Sequence, residues 1–252
     1  QVYKAMASRV FSKGARVFSA GRLILLNKGQ YNTAALQKVL AEALGDTVLV
    51  DTRLEDPSAP RVFVVSTLMS APTAVTYLHA NYRPPPRPPG SGEHRYRHGC
   101  HHRLWEAARA STAVPSYFDA FRSGGEIFCD GAILVNNPAA IAVHEARLLW
   151  PNAPLTCLVS VGTGRPEVKR PGGSENLYDV AKALIGSATD TEAVHHTLED
   201  LAPDGVYFRF NPVTPYETGE SLHGAPSTIL RRCPSGWAWG LRPARKAEFG
   251  RA

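Results

Sequence analysis

The chain has 252 residues, 44% of them apolar and 20% charged, which is enough apolar surface for a sizeable core and excludes wholesale disorder. Its formal charge of +6 gathers in two stretches, 83–103 (five Arg against one Glu) and 218–252 (six Lys or Arg against two Glu), so no basic folded face marks a nucleic-acid binder. Cys100, Cys129, Cys157 and Cys233 lie far apart with no C-x-x-C, which excludes a disulfide scaffold and fits a reducing, intracellular compartment.

Lys4, Arg9, Lys13 and Arg16 interrupt the apolar residues of the first twenty positions, a pattern that suits a surface helix and not a signal peptide. Beginning at Gln1, the chain reads as a fragment of a longer protein. No stretch reaches the roughly 18 apolar residues that a spanning helix needs. Asn32-Thr33 supplies an N-cap for a helix with Leu36, Val39, Leu40 and Leu44 at helical spacing, and Gly45 is its stop. Residues 47–50, 61–69 and 75–82 read as strands. The Pro-rich stretch 83–92 can be neither helix nor central strand and is expected to form an exposed loop.

A helix is expected over 102–110 and a short strand over 127–129, running directly into Asp130-Gly131. Asn137-Pro138 opens a helix carrying Ile141, His144 and Leu148 on successive turns. The unbroken apolar run 155–161 predicts a strand buried on both faces. Thr189-Asp190-Thr191-Glu192 has the form of a capping box for a helix through Leu201, and 207–210 reads as a last strand. Strands alternating with helices imply a layered α/β domain with a mostly parallel central sheet flanked by helices. The domain is expected to span 1–216. Residues 217–252, with Trp237 and Trp239 in no periodic pattern, are expected to be a disordered tail.

Three groupings carry possible chemistry. Asp130-Gly131-Ala132-Ile133 delivers an acid from a strand end into a glycine turn, the place where α/β folds collect ligands and catalytic groups. By itself the dipeptide reads more readily as a plain turn. His94, His98, Cys100, His101 and His102 are close in sequence but lack zinc-ligand spacing, and read better as a basic helix entrance. Gly162-Thr163-Gly164 lacks the third glycine of a dinucleotide fingerprint and reads as a structural turn. His195 and His196 are expected at surface or boundary positions of their helix. No metal and no cofactor are expected.

The ordered series Arg109–Phe118, Asp130–Pro138, Val159–Arg165, Ser187–Leu198 and Tyr207–Val213 resembles the patatin-like phospholipase family, most of all its calcium-independent members of the gamma type. The likeness covers roughly residues 30–216. It implies a patatin-like α/β fold, here without its N-terminal part, and a Ser–Asp dyad in which Asp130 is the base, supported by Gly131 and Ala132. The nucleophile of that family sits in a G-x-S-x-G elbow, and none occurs in this sequence: Gly172-Gly173-Ser174-Glu175-Asn176 and Gly219-Glu220-Ser221-Leu222-His223 both fail at the last glycine. The resemblance implies a phospholipid substrate at a membrane surface, no nucleic-acid partner, and an intracellular setting at mitochondrial or other internal membranes. An alternative is a catalytically inactive, truncated form serving as an interaction or regulatory module.

Overall fold

The computed structural model describes residues 9–11, 31–115, 117–166 and 191–214, so the tail of 217–252 and Ser116 lie outside the described residues. Asn32 caps α1 (Thr33–Leu44), its Oδ1 accepting a hydrogen bond from the Ala35 amide at 3.0 Å, as the Asn-Thr dipeptide predicts. The helix stops at Gly45, whose φ of 66° is readily adopted only by glycine. Residues 47–50 do not form the expected strand. Val48 makes one antiparallel bridge to Arg103, and its carbonyl accepts from the Asp51 amide as the chain coils into α2 (Asp51–Glu55). A four-residue β-branched run without a ladder partner yields to the local turn.

β1 (Phe63–Leu68) runs antiparallel to β2 (Val75–Ala80), paired from Phe63↔Ala80 to Leu68↔Val75, and β3 (Arg97–Gly99) lies parallel beside β2. After α3 (Leu104–Ser111), β4 (Phe121–Ser123) and β5 (Glu126–Asp130) form a hairpin through Gly124-Gly125, with φ of 58° and 83°. Two successive positive φ values make a turn whose twist matches a hairpin. β5 pairs antiparallel with β1 and closes a five-stranded sheet in the order β3-β2-β1-β5-β4. The mostly parallel sheet expected from the sequence is therefore wrong for this layer, where only β2–β3 is parallel. Direct hairpin returns at 69–74 and at Gly124-Gly125 remove the need for crossover helices.

α3 covers this sheet. Ala110 packs with Leu68, Tyr77, Phe121 and Phe128, and partly buried Trp105 flanks them. Burial of Leu68 and Phe128 contributes roughly 1.5–3 kcal/mol each. The 3₁₀ turn Gly131–Ile133 then leads to α4 (Ala139–Leu149), where Asn137 Oδ1 accepts from the Ala139 amide at 3.1 Å.

Past α4 come β6 (Leu158–Val161), β7 (Arg165–Pro166), α5 (Glu192–Leu201), β8 (Tyr207–Phe210) and β9 (Val213–Thr214). β6 pairs in parallel with β8, and β7 with β9. β6 is not buried on both faces: Ser160 is its buried residue, whereas Val159 and Val161 are 51% and 69% exposed, in register with the exposed Phe208 and Phe210. Glu192 is the first residue of α5 and Thr191 makes no side-chain cap bond, while Thr189, the first residue of the expected capping box, lies outside the described residues. Among the described residues, no helix is long and apolar enough to cross a membrane.

Candidate active site

Asp130 ends β5 and caps the 3₁₀ turn that follows, its Oδ1 accepting from the Ala132 amide at 2.7 Å. Its backbone is fixed on both sides. The Asp130 amide donates to the Ala113 carbonyl at 3.0 Å, and the Thr67 hydroxyl of β1 donates to the Asp130 carbonyl at 2.9 Å. Gly131 is required by close approach and not by backbone dihedral: a Cβ there would stand 2.5 Å from the Val65 carbonyl oxygen. The glycine therefore lets the turn press against β1 and holds the carboxylate at the sheet end. Burial pushes the Asp130 carboxyl above its ordinary range, and the Ala132 N–H draws it part of the way back.

Asp130 lines a cleft of about 680 Å³ between this turn and β6. Its far wall is polar. Arg209 of β8 donates to Ser160 Oγ at 2.8 Å and to Glu192 Oε1 at 3.2 Å, and Asn211 Nδ2 donates to the same Glu192 oxygen at 3.1 Å. Burial works against the charge on Glu192, but the bonds from Asn211, Arg209 and Thr191 outweigh it and hold the carboxyl below its usual range. Asn211 Oδ1 accepts from the Gly164 amide at 3.0 Å, and a Cβ on Gly162 would lie 2.2 Å from that oxygen. Gly162-Thr163-Gly164 is thus a turn clamped by Asn211, as expected from its lack of a phosphate-loop pattern. Asn137, beside Asp130 on the cleft, donates to the Thr191 carbonyl at 3.1 Å and so ties the start of α4 to α5.

The histidine-rich segment does not converge on one point. His98 Nε2 meets Glu145 Oε2 of α4 at 3.0 Å, with the Tyr82 hydroxyl donating to the same oxygen at 2.8 Å. His98 Nδ1 faces the Tyr96 carbonyl at 3.0 Å, so both ring nitrogens point at oxygen acceptors. Burial disfavours the Glu145 carboxylate, yet the bonds from His98 and Tyr82 prevail and lower its pKa. His102 instead turns to β2, its Nδ1 3.2 Å from His79 Nδ1, and His79 Nε2 lies 2.7 Å from Ser66 Oγ. Cys100 is buried, and His101 points to solvent.

The Ser66–His79 couple escapes sequence reading because its members stand on different strands. It has the separation of a nucleophile and its base, and Ser66 is the register partner of Asp130. Neither Ser66 nor His79 has exposed surface, however, so no substrate carbonyl can approach. Burial, and to a lesser extent His102, lowers the His79 pKa to about 3, so the couple is a neutral hydrogen-bonded relay within the sheet.

The family model for patatin-like phospholipases matches residues 1–143. Calcium-independent phospholipase A2-gamma of Oryctolagus cuniculus is 38% identical over 216 residues, covering 84% of this chain and 27% of that protein. The Homo sapiens protein of the same name is 37% identical over the same coverage. Phospholipase A I of Arabidopsis thaliana is 32% identical over 221 residues, covering 75% of this chain and 17% of the relative. The chain thus spans about a quarter of the length of the gamma relatives it matches.

Proposed function

The chain belongs to the patatin-like phospholipase family, and from that premise we propose that it carries the acid half of a lipid acyl hydrolase of the phospholipase A type. Asp130 is the general base of a Ser–Asp dyad in this reading. The observation that supports it is the setting of Asp130: a partly buried carboxylate with one oxygen fixed by Ala132, on a backbone pinned by Ala113 and Thr67, at the edge of a cleft. In the proposed reaction the carboxylate accepts the serine proton as Oγ attacks the acyl ester of a glycerophospholipid. Backbone N–H groups of a glycine-rich loop hold the oxyanion, and the lysophospholipid leaves with the proton. Water then enters by the same steps and releases a free fatty acid. A carboxyl raised by burial suits this role, because a stronger base takes the serine proton more readily. By family resemblance alone, the setting is intracellular, at mitochondrial or other internal membranes.

The 252 residues contain no G-x-S-x-G. That observation favours a second reading of this chain by itself, as a catalytically silent form that acts as an interaction or regulatory module. The two readings share a direct test. Incubated alone with glycerophospholipid vesicles and a fluorophosphonate probe, the 252-residue chain is expected to release no fatty acid above a buffer blank and to carry no label on serine. A labelled serine accompanied by hydrolysis would overturn the assignment of Asp130 as half of an incomplete dyad.

A further inference from the structure

On α5, His195 and Glu199 are one helical turn apart, and His196 stands three residues before the same carboxylate. Among the described residues these three form the one group whose imidazole and carboxylate donor atoms all lie within 4.8 Å of one another. His195 Nε2 is 4.0 Å and His196 Nδ1 3.7 Å from Glu199 Oε2. Both separations exceed a hydrogen bond, and Glu199 is 62% exposed, so as ion pairs the contacts contribute little. A tetrahedral zinc ion with bonds of about 2.0–2.1 Å sets its ligands roughly 3.4 Å apart. The two imidazoles need to close on Glu199 by about half an ångström to reach that spacing, and on each other, from within 4.8 Å, by up to about 1.4 Å.

A second observation comes from the other nitrogen of His195. Its Nδ1 lies 3.3 Å from the Tyr207 hydroxyl on β8, which leaves Nε2 as the nitrogen facing Glu199. An outer hydrogen bond of this kind fixes the tautomer and ring plane of a metal-binding histidine. The His195 and His196 rings are stacked, 29° apart with centroids at 5.2 Å, so the exposed His196 ring has to turn for both nitrogens to face one ion. Two imidazoles and one carboxylate suit zinc, nickel or copper; calcium and magnesium require a shell of oxygens that this group lacks.

We propose that His195, His196 and Glu199 bind one divalent transition-metal ion of the zinc class, with Tyr207 orienting His195 and water completing the shell. Bound there, the ion fixes the His195 ring that meets Tyr207 of β8 and stabilises the fold by mass action. The site is independent of the role assigned to Asp130. Calorimetric titration of the 252-residue chain with Zn²⁺ tests it, with Co²⁺ absorption in the visible reporting ligand geometry. One saturable site is expected. Tyr207→Phe is expected to weaken it on the order of 10–100-fold, and His196→Ala and Glu199→Gln to weaken it at least as much. His101→Ala, an exposed histidine elsewhere, leaves it unchanged. His196 is 69% exposed, so its removal does not threaten folding. Zn²⁺ affinity retained in both His196→Ala and Glu199→Gln, or Mg²⁺ bound as tightly as Zn²⁺, would overturn the proposal.

Discussion

At Asp130 the two carboxylate oxygens are unequal. Oδ1 is committed to the Ala132 amide and holds the turn, which leaves Oδ2 as the oxygen that can face a nucleophile. An asparagine keeps the Oδ1 acceptor but cannot take a proton. Asp130→Asn is therefore expected to leave thermal stability nearly unchanged while removing the carboxylate that the proposed dyad requires. Gly131 answers to a different constraint. The methyl group of alanine would meet the Val65 carbonyl at 2.5 Å, and the obstacle is backbone on a paired strand, which cannot swing aside. Gly131→Ala is expected to cost about 1–3 kcal/mol in urea denaturation. An unchanged midpoint would show that the turn does not press on β1 as described.

Between elements, buried polar groups set the pH response. His79 is neutral when folded, with a pKa near 3, whereas the unfolded side chain titrates near 6.5. Above about pH 6.5 both states are neutral and nothing is lost. As the pH falls below that value the unfolded chain takes a proton that the folded chain refuses, and stability drops until about pH 3. Between pH 7 and pH 5 the loss from this residue is about 2 kcal/mol, and His102, also lowered mainly by burial, acts in the same direction. Denaturation of His79→Asn across this range is expected to show a flatter profile than the natural sequence; an equal slope would remove His79 from the account. The His98–Glu145–Tyr82 cluster makes a second test. The hydrogen-bonded His98 and Glu145 side chains are both under 8% exposed, and the cluster fastens β3 to α4. Glu145→Ala is expected to cost about 3 kcal/mol and to speed amide exchange at 97–99. Exchange there at the natural rate would show that the pair is not a fastening. These elements also mark what a sequence can and cannot display. The Asn32 cap, the Gly45 stop, the strand 207–210 and an acid at a strand end are local patterns, and each appears where local chemistry puts it. The antiparallel returns were harder to read, because Gly124-Gly125 joins a three-residue strand too short to show alternation. Ser66, His79 and His102 meet across separations of 13 and 23 residues, and only the ladder register of β1 and β2 brings the first two together.

For the whole molecule, the arginines of the Pro-rich segment gain a clearer meaning. Arg83, Arg87, Arg95, Arg97 and Arg103 are all exposed on the stretch from β2 to α3. Each can contribute about 1 kcal/mol near an anionic bilayer. The chain is expected to sediment with phosphatidylserine vesicles at low salt, to leave them at high salt, and to ignore neutral vesicles. Equal binding to both vesicle types would separate the charge from any lipid contact. The cleft wall built by Arg209, Glu192 and Asn211 faces the Asp130 turn across the cleft, and α4 and α5 are tied together behind it through Asn137. The proposed reading needs this frame to aim the Asp130 carboxylate at a serine hydroxyl. It is tested most directly by joining the chain to an N-terminal segment that carries a G-x-S-x-G and measuring fatty-acid release from a glycerophospholipid, with and without Asp130→Asn. The proposed dyad gives turnover in the joined protein and a loss on the order of 10²–10⁴-fold or more in Asp130→Asn at unchanged thermal stability. Turnover that survives the loss of that carboxylate would contradict it.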